Sequence, residues 1–322
     1  MNGVLVIDKP AGPTSHDVVA RVRKILKQRA VGHLGTLDPM ATGVLPIVTG
    51  QMTRLTQFYM GAEKAYEGEI RFGFSTDTYD AAGEALGERR DVQLTLEQVR
   101  EAARRFLGVI EQMPPPFSAK KISGVPAYKL ARKKKPVELQ PVKVEVKELE
   151  VLSVDGDRAQ FRARVTSGTY LRSIAHDLGQ ALGVGAHLGK LRRTRVGEFG
   201  LGDALTLEAL ESASSALRLG TLHNIRYRTL QQQEEPGPES AIFIHPRCLL
   251  PAFPSVVAPP EALAKVRHGN AVNLPDVSRC RYVKVFSGQT DLIAIAQRIA
   301  GTLFQPKVVL MGEEAARPIE AG

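Results

Sequence analysis

The chain has 322 residues and a formal net charge of +9, from 43 Lys and Arg against 34 Asp and Glu. That length suffices for one large domain and one small one, and the positive balance favours a polyanionic partner without requiring one. Two cysteines that lie far apart, Cys248 and Cys280, argue against both a zinc site and a disulfide framework. The sequence shows neither a signal-peptide pattern nor an apolar stretch of roughly 20 residues. We therefore expect a cytoplasmic protein with no membrane partner.

The first elements predicted along the chain are a strand, a helix and a second strand. The apolar run at residues 4–7 predicts a short strand. Residues 15–29 predict a helix with Ser15 as its N-cap and Asp17 in its first turn. The buried stripe predicted for this helix is Val18, Val19, Val22, Ile25 and Leu26. Residues 66–74 alternate with period two, which predicts a strand with Tyr66 on its apolar face.

The elements that follow continue this alternation. Residues 95–107 predict a helix that begins with a capping box of Thr95 and Gln98. Residues 143–154 and 158–165 predict paired strands, and residues 169–182 predict another helix. Runs of strands broken by single helices favour an α+β fold, in which helices flank a mixed, largely antiparallel sheet.

The chain changes character near residue 210. Residues 1–210 have the size of a complete catalytic domain. Residues 211–240 lose their periodicity and contain QQQEEPGPES, which predicts a linker or mobile segment. Residues 241–312 hold short apolar runs that predict a small β-rich domain. Residues 313–322 carry no core pattern and predict a flexible tail.

One segment, GHLGTLDPMATGVLP from Gly32 to Pro46, places a single carboxylate in a loop rich in Gly, Thr and Pro. Pro39 disfavours helical dihedrals at the preceding residue, so Asp38 is expected in an extended or turn conformation. An Asp-Pro pair is also a common turn signal. From these residues alone, a purely structural turn remains an open alternative.

The run HLGTLDPMATGVLP resembles the catalytic loop of the bacterial tRNA uridine-55 pseudouridine synthases of the TruB type. Three more segments resemble motifs of that family: GVLVIDKPAGPTSHDVV (3–19), KAYEGEIRFGFSTDTYDAAGE (64–84) and SGTYLRSIAHDLG (167–179). Together the four segments cover most of residues 1 to about 205. Further on, LAKVRHGNAVNLP followed by VKVF and LIAIA resembles a PUA domain, an RNA-binding module. A purely structural C-terminal domain stays open beside that reading.

The resemblance implies an enzyme that isomerises uridine 55 in the T loop of tRNA to pseudouridine. Asp38 matches the family's nucleophile, and Arg172 matches the arginine that pairs with it. Tyr66 matches an aromatic residue that stacks on the target uracil and is placed to take its C5 proton. By position alone, Arg172 would read as an exposed helix residue and Tyr66 as a core aromatic.

The resemblance also implies residues that bind the substrate. His33 matches a histidine that fills the space vacated by the flipped base, Tyr170 a supporting residue of the pocket, and Lys121 a lysine near it. Lys190 and Arg192 lie in the basic run KLRRTR, which is expected to contact phosphates, as is ARKKK at residues 131–135. Packing or solvation would also explain each of these residues.

The implied reaction releases no electrons and consumes no water, so we expect no metal and no cofactor. The sequence shows no P-loop, GxGxxG or cysteine cluster. The expected partner is the T arm and loop of tRNA, without an obligate protein partner. Two alternatives remain: a guide-RNA-dependent relative that modifies ribosomal RNA, and a tRNA-binding folding chaperone whose catalysis is incidental or lost.

Overall fold

The structure, a computed structural model, describes residues 1–117, 121–122, 125–126, 140–219, 227–228 and 242–310. The ARKKK run, the tail 313–322 and most of the predicted linker lie outside these residues. So does the side chain of Lys121, of which only the backbone is described.

The helices and strands alternate along the chain as the sequence predicts. The helices are α1 (Ser15–Leu26), α2 (Thr56–Tyr59), α3 (Leu96–Arg104), α4 (Leu171–Ala181), α5 (Leu207–Leu219) and α6 (Pro260–Arg267). The strands of the first half are β1 (Gly3–Lys9), β2 (Val31–His33), β3 (Thr42–Thr49), β4 (Lys64–Phe72), β5 (Ser75–Thr76), β6 (Ala85–Leu86), β7 (Gly108–Gln112), β8 (Lys121–Ile122) and β9 (Val125–Pro126). Those of the second half are β10 (Val142–Asp155), β11 (Arg158–Val165), β12 (Ala186–Val196), β13 (Phe199–Gly200), β14 (Ala204–Leu205), β15 (Tyr227–Arg228), β16 (Phe243–Ile244), β17 (Ser255–Val257), β18 (Val272–Asn273), β19 (Tyr282–Ser287), β20 (Asp291–Ala300) and β21 (Leu303–Val309).

A ten-stranded sheet forms the centre of the molecule. Its strands lie in the order β14-β1-β3-β12-β4-β11-β10-β7, with β2 added to β3 and β13 to β12. Two pairings, β1 with β14 and β12 with β3, are parallel. The others are antiparallel, including the predicted pair of β10 and β11. The predicted α+β fold with a mixed, largely antiparallel sheet is confirmed.

Helices α1, α3 and α4 pack on one face of this sheet and share a single hydrophobic core with it. All five residues of the stripe predicted for α1 are buried. The predicted N-cap was wrong by one residue, because Thr14 pairs with Asp17 at the third helical position in a capping box. The predicted C-terminal end at residue 29 was also too late, since Lys27 adopts left-handed dihedrals and ends the helix.

A second, five-stranded sheet lies near the C-terminus, in the order β17-β19-β20-β21-β18, which confirms the predicted β-rich region. It shares a hydrophobic cluster with the face of β1 and β3 that the helices leave free. A partly buried polar contact joins the main region to the C-terminal region as well. Glu198 accepts hydrogen bonds from the hydroxyl of Tyr59 at 2.6 Å and from the backbone N–H of Leu250 at 2.9 Å. In the described part of the chain, no helix is long and apolar enough to span a bilayer.

Candidate active site

Asp38 lies in the loop between β2 and β3, and the buried side chain of Lys9 forms hydrogen bonds to the backbone of that loop. Lys9 is the last residue of β1, and its Nζ donates to the carbonyl oxygens of Pro10, Pro39 and Ala41 at 2.9, 3.1 and 2.7 Å. Three donors thus meet three acceptors. Burial lowers the pKa of Lys9 to about 8, so the ammonium form prevails at neutral pH. The backbone that follows Asp38 is therefore fixed by one side chain from a neighbouring strand.

A second buried cation, Arg193 of β12, holds the other flank of the loop. Its guanidinium donates to the carbonyl oxygens of Val44, Thr36 and Gly35 at 2.8, 3.1 and 2.9 Å. The sequence analysis grouped Arg193 with the basic run expected to contact phosphates, yet its side chain is fully buried. The pattern of β12 contained the signal for this. Positions 191 and 193 alternate inward along the strand, and Arg193 occupies a position where an apolar residue would be expected.

Arg172 pairs with Asp38 from the first turn of α4. Its Nη2 donates to Oδ1 of Asp38 at 3.3 Å, and its Nε lies 2.9 Å from Oδ2. The Nε–H is not aligned with that oxygen, so the shorter contact is an ion pair rather than a hydrogen bond. Nη1 donates to the carbonyl oxygen of Thr78 and lies 3.5 Å from Oδ2 of Asp80. Asp80 is a buried site residue that the sequence analysis did not single out, although it belongs to the segment 64–84.

The electrostatics of Asp38 reflect its enclosure. Burial raises the pKa of its carboxyl above the ordinary 3.8; the Arg172 and Lys9 cations oppose that shift, and Asp80 adds to it. The side chain nevertheless keeps 36 % of its surface exposed. That exposed part faces a pocket, so the carboxylate is held in place and remains reachable.

The pocket has a volume of about 240 Å³ and contains the three residues that the sequence analysis assigned to catalysis. Asp38, Tyr66 and Arg172 line it together with Tyr170. Tyr66 lies on β4 and is only 7 % exposed. Burial raises the pKa of its hydroxyl above 10.0, and Arg193 opposes the shift. The hydroxyl is therefore protonated at neutral pH.

Of two predicted substrate-binding residues, one lines this pocket and the other lies beside the Asp38 loop. Tyr170 lines it and is the N-cap residue of α4, where its backbone is hydrogen-bonded to the side chain of Gln112. His33 ends β2 and lies close to the loop. Its Nδ1 accepts from the backbone N–H of Gly35 at 3.3 Å, which leaves the ring proton on Nε2. Burial, followed by the effects of His16 and Arg193, lowers the pKa of His33 to about 4, so its ring is neutral at pH 7.

The two predicted phosphate contacts lie outside the pocket, beside a neighbouring cavity of about 590 Å³. Lys190 is 74 % exposed there, with Glu69 as its nearest carboxylate at 3.9 Å. Arg192 is engaged by Asp8 through two hydrogen bonds of 2.7 and 3.1 Å. The structure thus leaves Lys190 available to a ligand and commits Arg192 to a partner within the protein. Among the residues described, no three of His, Cys, Asp and Glu are grouped as metal ligands.

Known proteins resemble this chain in sequence and in fold. Family models described as TruB family pseudouridylate synthase (N terminal domain) and tRNA pseudouridylate synthase B C-terminal domain match residues 23–171 and 172–229. The protein named tRNA pseudouridine synthase B of Solibacter usitatus is 49 % identical over 313 residues, which cover 96 % of this chain and 100 % of that protein. The protein of the same name from Aquifex aeolicus is 47 % identical over 217 residues, 67 % of this chain and 75 % of that one.

Solved structures agree with these relatives. A chain from a Cbf5-Nop10-Gar1 complex superposes with a TM-score of 0.69 at 28 % identity, covering 97 % of this chain and 86 % of that one. A chain from an H/ACA RNP bound to a substrate RNA containing 2′-deoxyuridine gives 0.68 at 26 %, covering 96 % and 85 %. The family models and the relatives, together with the fold, identify a pseudouridine synthase. Within that class, the chain belongs to the TruB family.

Proposed function

We propose that this enzyme isomerises uridine 55 in the T loop of tRNA to pseudouridine, with Asp38 as the acting carboxylate. The observation that carries the proposal is the pocket in which Arg172 holds Asp38 while Tyr66 lines the same space. Two bacterial relatives, 49 and 47 % identical to this chain, are named for pseudouridine synthesis in tRNA, and this supports tRNA as the substrate.

The reaction requires the protein to position the substrate and to place charged groups beside it. The bond from ribose C1′ to uracil N1 breaks, the base turns, and C1′ bonds to C5. C5 then loses its proton and N1 gains one, so atoms and electrons balance without a co-reactant. A carboxylate serves this reaction by attacking carbon or by stabilising positive charge on the ribose. Lys9 and Arg193 keep the Asp38 loop in one geometry, and Arg172 orients the carboxylate itself.

Tyr66 and His33 act on the target base and on the space that it leaves. The Tyr66 ring stacks on the uracil, and its hydroxyl lies where the C5 proton must leave. A uridine inside a folded loop must first be extruded, which costs a few kcal/mol of unstacking. His33, with a neutral ring at the edge of the loop, fills the space that the base leaves. Lys190 contacts a phosphate beside the pocket, and the T arm is recognised by its shape and unstacked bases.

The alternative of a guide-RNA-dependent enzyme has one observation in its favour, which is the structural likeness to chains from H/ACA complexes. The identities favour the tRNA enzyme, because those chains share 26 and 28 % of residues with this one while the bacterial relative shares 49 %.

Chemical mapping of pseudouridine in an unmodified tRNA transcript tests the proposal. The purified protein alone should place one pseudouridine at position 55. A transcript with cytidine at that position serves as the control and should stay unmodified. Modification at another position, or only after a guide RNA is added, would overturn the proposal.

A further inference from the structure

A second side chain of β4, the charged Lys64, reaches the same pocket. Lys64 lies two residues before Tyr66, and side chains two apart on a strand share a face. Lys64 lines the pocket with Asp38 and Tyr66 and is half-buried. Its stem lies over Gly35, where an added Cβ would be 3.3 Å from Lys64 Cε in a backbone of positive φ. The loop beside Asp38 thus leaves room for this lysine.

The other cations around Asp38 are already engaged by protein groups. Arg172 interacts with Asp38 and Asp80. Lys9 and Arg193 each donate to three backbone carbonyl oxygens of the loop region. These contacts fix the positions of the three cations and use all of the N–H groups of Lys9 and several of those of each arginine.

Lys64 differs from these three cations. Within the part of the chain that the structure describes, its ammonium has one acceptor for three N–H groups, the carbonyl oxygen of Ala62 at 2.9 Å. No carboxylate of those residues lies within 4.0 Å of it. The adjacent acid, Glu63, is bound by Lys147 and Arg164. Burial, with a smaller effect of Arg193, lowers the pKa of Lys64 to about 8, which leaves it largely charged at neutral pH.

A partly buried cation without a counter-ion is unfavourable unless a ligand completes it. We infer that Lys64 is a further catalytic residue, whose ammonium binds a carbonyl oxygen of the target uracil and stabilises the negative charge on the detached ring. The inference rests on the proposed function. When the bond from C1′ to N1 breaks, its electron pair stays on the ring and spreads onto the carbonyl oxygens. That electron pair is used again when C5 forms its bond to C1′. Lys64 itself transfers no proton.

The placement of charge across the pocket supports this role. Asp38 meets the positive charge that develops on the ribose, and Arg172 is bound to Asp38. The negative charge on the base needs a cation on the other side, and preorganised charge at such a point is a large source of rate acceleration. Lys64 supplies it from the strand that carries Tyr66, the proposed stacking platform for that base.

The test compares Lys64→Gln, Lys64→Arg and a matched control, Lys143→Met, in the full-length protein. Glutamine keeps a donor for Ala62 but removes the charge, while arginine keeps the charge. Lys143 is an exposed lysine on β10, outside the pocket. Single-turnover rates on an unmodified tRNA transcript at saturating enzyme are measured beside the Kd for that transcript. Lys64→Gln should slow the single-turnover rate by about 100-fold or more, with Kd changed by less than about threefold. Lys64→Arg should recover most of the rate, and Lys143→Met should match the parent.

Two results would overturn the role. In the first, Lys64→Gln has the single-turnover rate of the parent but binds the transcript more weakly, and its salt dependence is shallower by about one phosphate contact. The ligand of Lys64 would then be a backbone phosphate. In the second, Lys64→Gln and Lys64→Arg lose rate equally. The shape of the lysine side chain, and not its charge, would then be what the fold requires at this position. An inactive parent would instead remove the proposed function and this role together, whereas an active parent with a fully active Lys64→Gln variant removes only the role of Lys64.

Discussion

Arg172 connects three segments that are distant in the chain. Its guanidinium contacts Asp38 of the loop, Thr78 and Asp80 of the segment after β5, and the carbonyl oxygen of Phe117. A planar fork of five donors can serve several oxygens at once, which a lysine ammonium cannot reproduce. At the scale of single residues, the site is therefore a network centred on one arginine, and we expect Asp38 to react only in the position that this network sets.

The first prediction concerns pH. The carboxylate is the reactive form of Asp38, so the acid side of the pH–rate profile reports its pKa. Burial raises this pKa above 3.8 and Arg172 opposes the shift. As pH falls, activity should be lost at a higher pH than an ordinary aspartate would give. Arg172→Gln removes the opposing cation, so its residual activity should be lost at a still higher pH. Single-turnover profiles of both proteins that share one acid limb would contradict this account.

The second prediction separates the ring of Tyr66 from its hydroxyl. Tyr66→Phe keeps the proposed stacking surface and loses the hydroxyl that is proposed to take the C5 proton. We expect its single-turnover rate to fall by about 100-fold or more, the usual size of a general acid–base contribution, while Kd for tRNA stays near that of the parent. Tyr66→Ala serves as the comparison and should also lose stability, because the ring is buried. Full turnover by the Phe variant would leave Tyr66 as a packing residue only.

The sequence located the residues proposed to act on the base better than the residues that hold them in place. Asp38, Tyr66 and Arg172 came from motif resemblance, and the structure brings all three to one pocket. Arg193 and Asp80 were missed as site residues because their importance depends on contacts 40 or more positions away. The sequence alone does not distinguish a buried arginine that donates to three carbonyl groups from an exposed arginine that binds a phosphate.

At the scale of elements, α1 and the Asp38 loop are tied together by Ser15. Its Oγ accepts from the backbone N–H of Leu37 at 2.8 Å and donates to the carbonyl oxygen of the same residue at 3.0 Å. Thr14, one position earlier, caps the helix through Asp17 instead. The start of α1 therefore has two hydroxyl groups with distinct tasks, one for the helix and one for the loop.

The third prediction uses this adjacent pair as its own control. Ser15→Ala leaves the buried N–H of Leu37 without its partner and should cost about 1–3 kcal/mol of stability. It should also lower the single-turnover rate, because Leu37 precedes Asp38. Thr14→Ala removes a helix cap and should cost about 1 kcal/mol, with no loss of rate. Urea unfolding and single-turnover assays of both variants decide the matter, and equal rates in the two would contradict a role for Ser15 in placing the loop.

Sequence patterns located these elements to within a few residues where local signals were strong. The period of α1 and the alternation of β4 were sufficient because each element has one buried face. The N-cap assignment failed because Ser15 and Thr14 are both good caps, and only the reach of Asp17 back to Thr14 selects between them. Because Thr14 caps the helix, the Ser15 hydroxyl can bind the loop. No local sequence pattern predicts that contact.

At the scale of the whole molecule, the C-terminal sheet is built onto the main sheet. Alternate residues of β1 serve two cores: Leu5 and Ile7 face the helices, while Val4 and Val6 face the C-terminal sheet. Removal of residues 242–322 would therefore expose apolar surface of the main sheet. A truncated protein should lose stability as well as any RNA contact, so truncation cannot measure binding alone. The boundaries at residues 210, 240 and 312 remain predictions.

The fourth prediction tests the C-terminal region through surface substitutions instead. Lys265 and Arg267 are exposed on α6. If this region contacts tRNA phosphates, the double variant Lys265→Met, Arg267→Met should bind the transcript more weakly. Each lost contact should reduce the slope of log affinity against log salt by about 0.9, by analogy with duplex DNA. The single-turnover rate at saturating enzyme should be unchanged. An unaltered salt slope would contradict an RNA-binding role for this helix.

The β-rich character of the C-terminal region followed from its short apolar runs, but its attachment did not. The contact made by Tyr59, Glu198 and Leu250 joins residues separated by up to 191 positions. Such a contact leaves no periodicity in the sequence. Docking of two sheets depends on which faces remain uncovered after each has folded, and that is decided by the complete topology.

The central claim is that Asp38 performs the isomerisation of uridine 55, and its most direct test is Asp38→Asn. Asparagine nearly matches aspartate in shape but has no anionic oxygen. We predict that pseudouridine formation at position 55 of an unmodified transcript falls by at least about 1,000-fold in single turnover, while the Kd for the transcript stays within about threefold of the parent. A variant that forms pseudouridine within about tenfold of the parent rate would contradict the account.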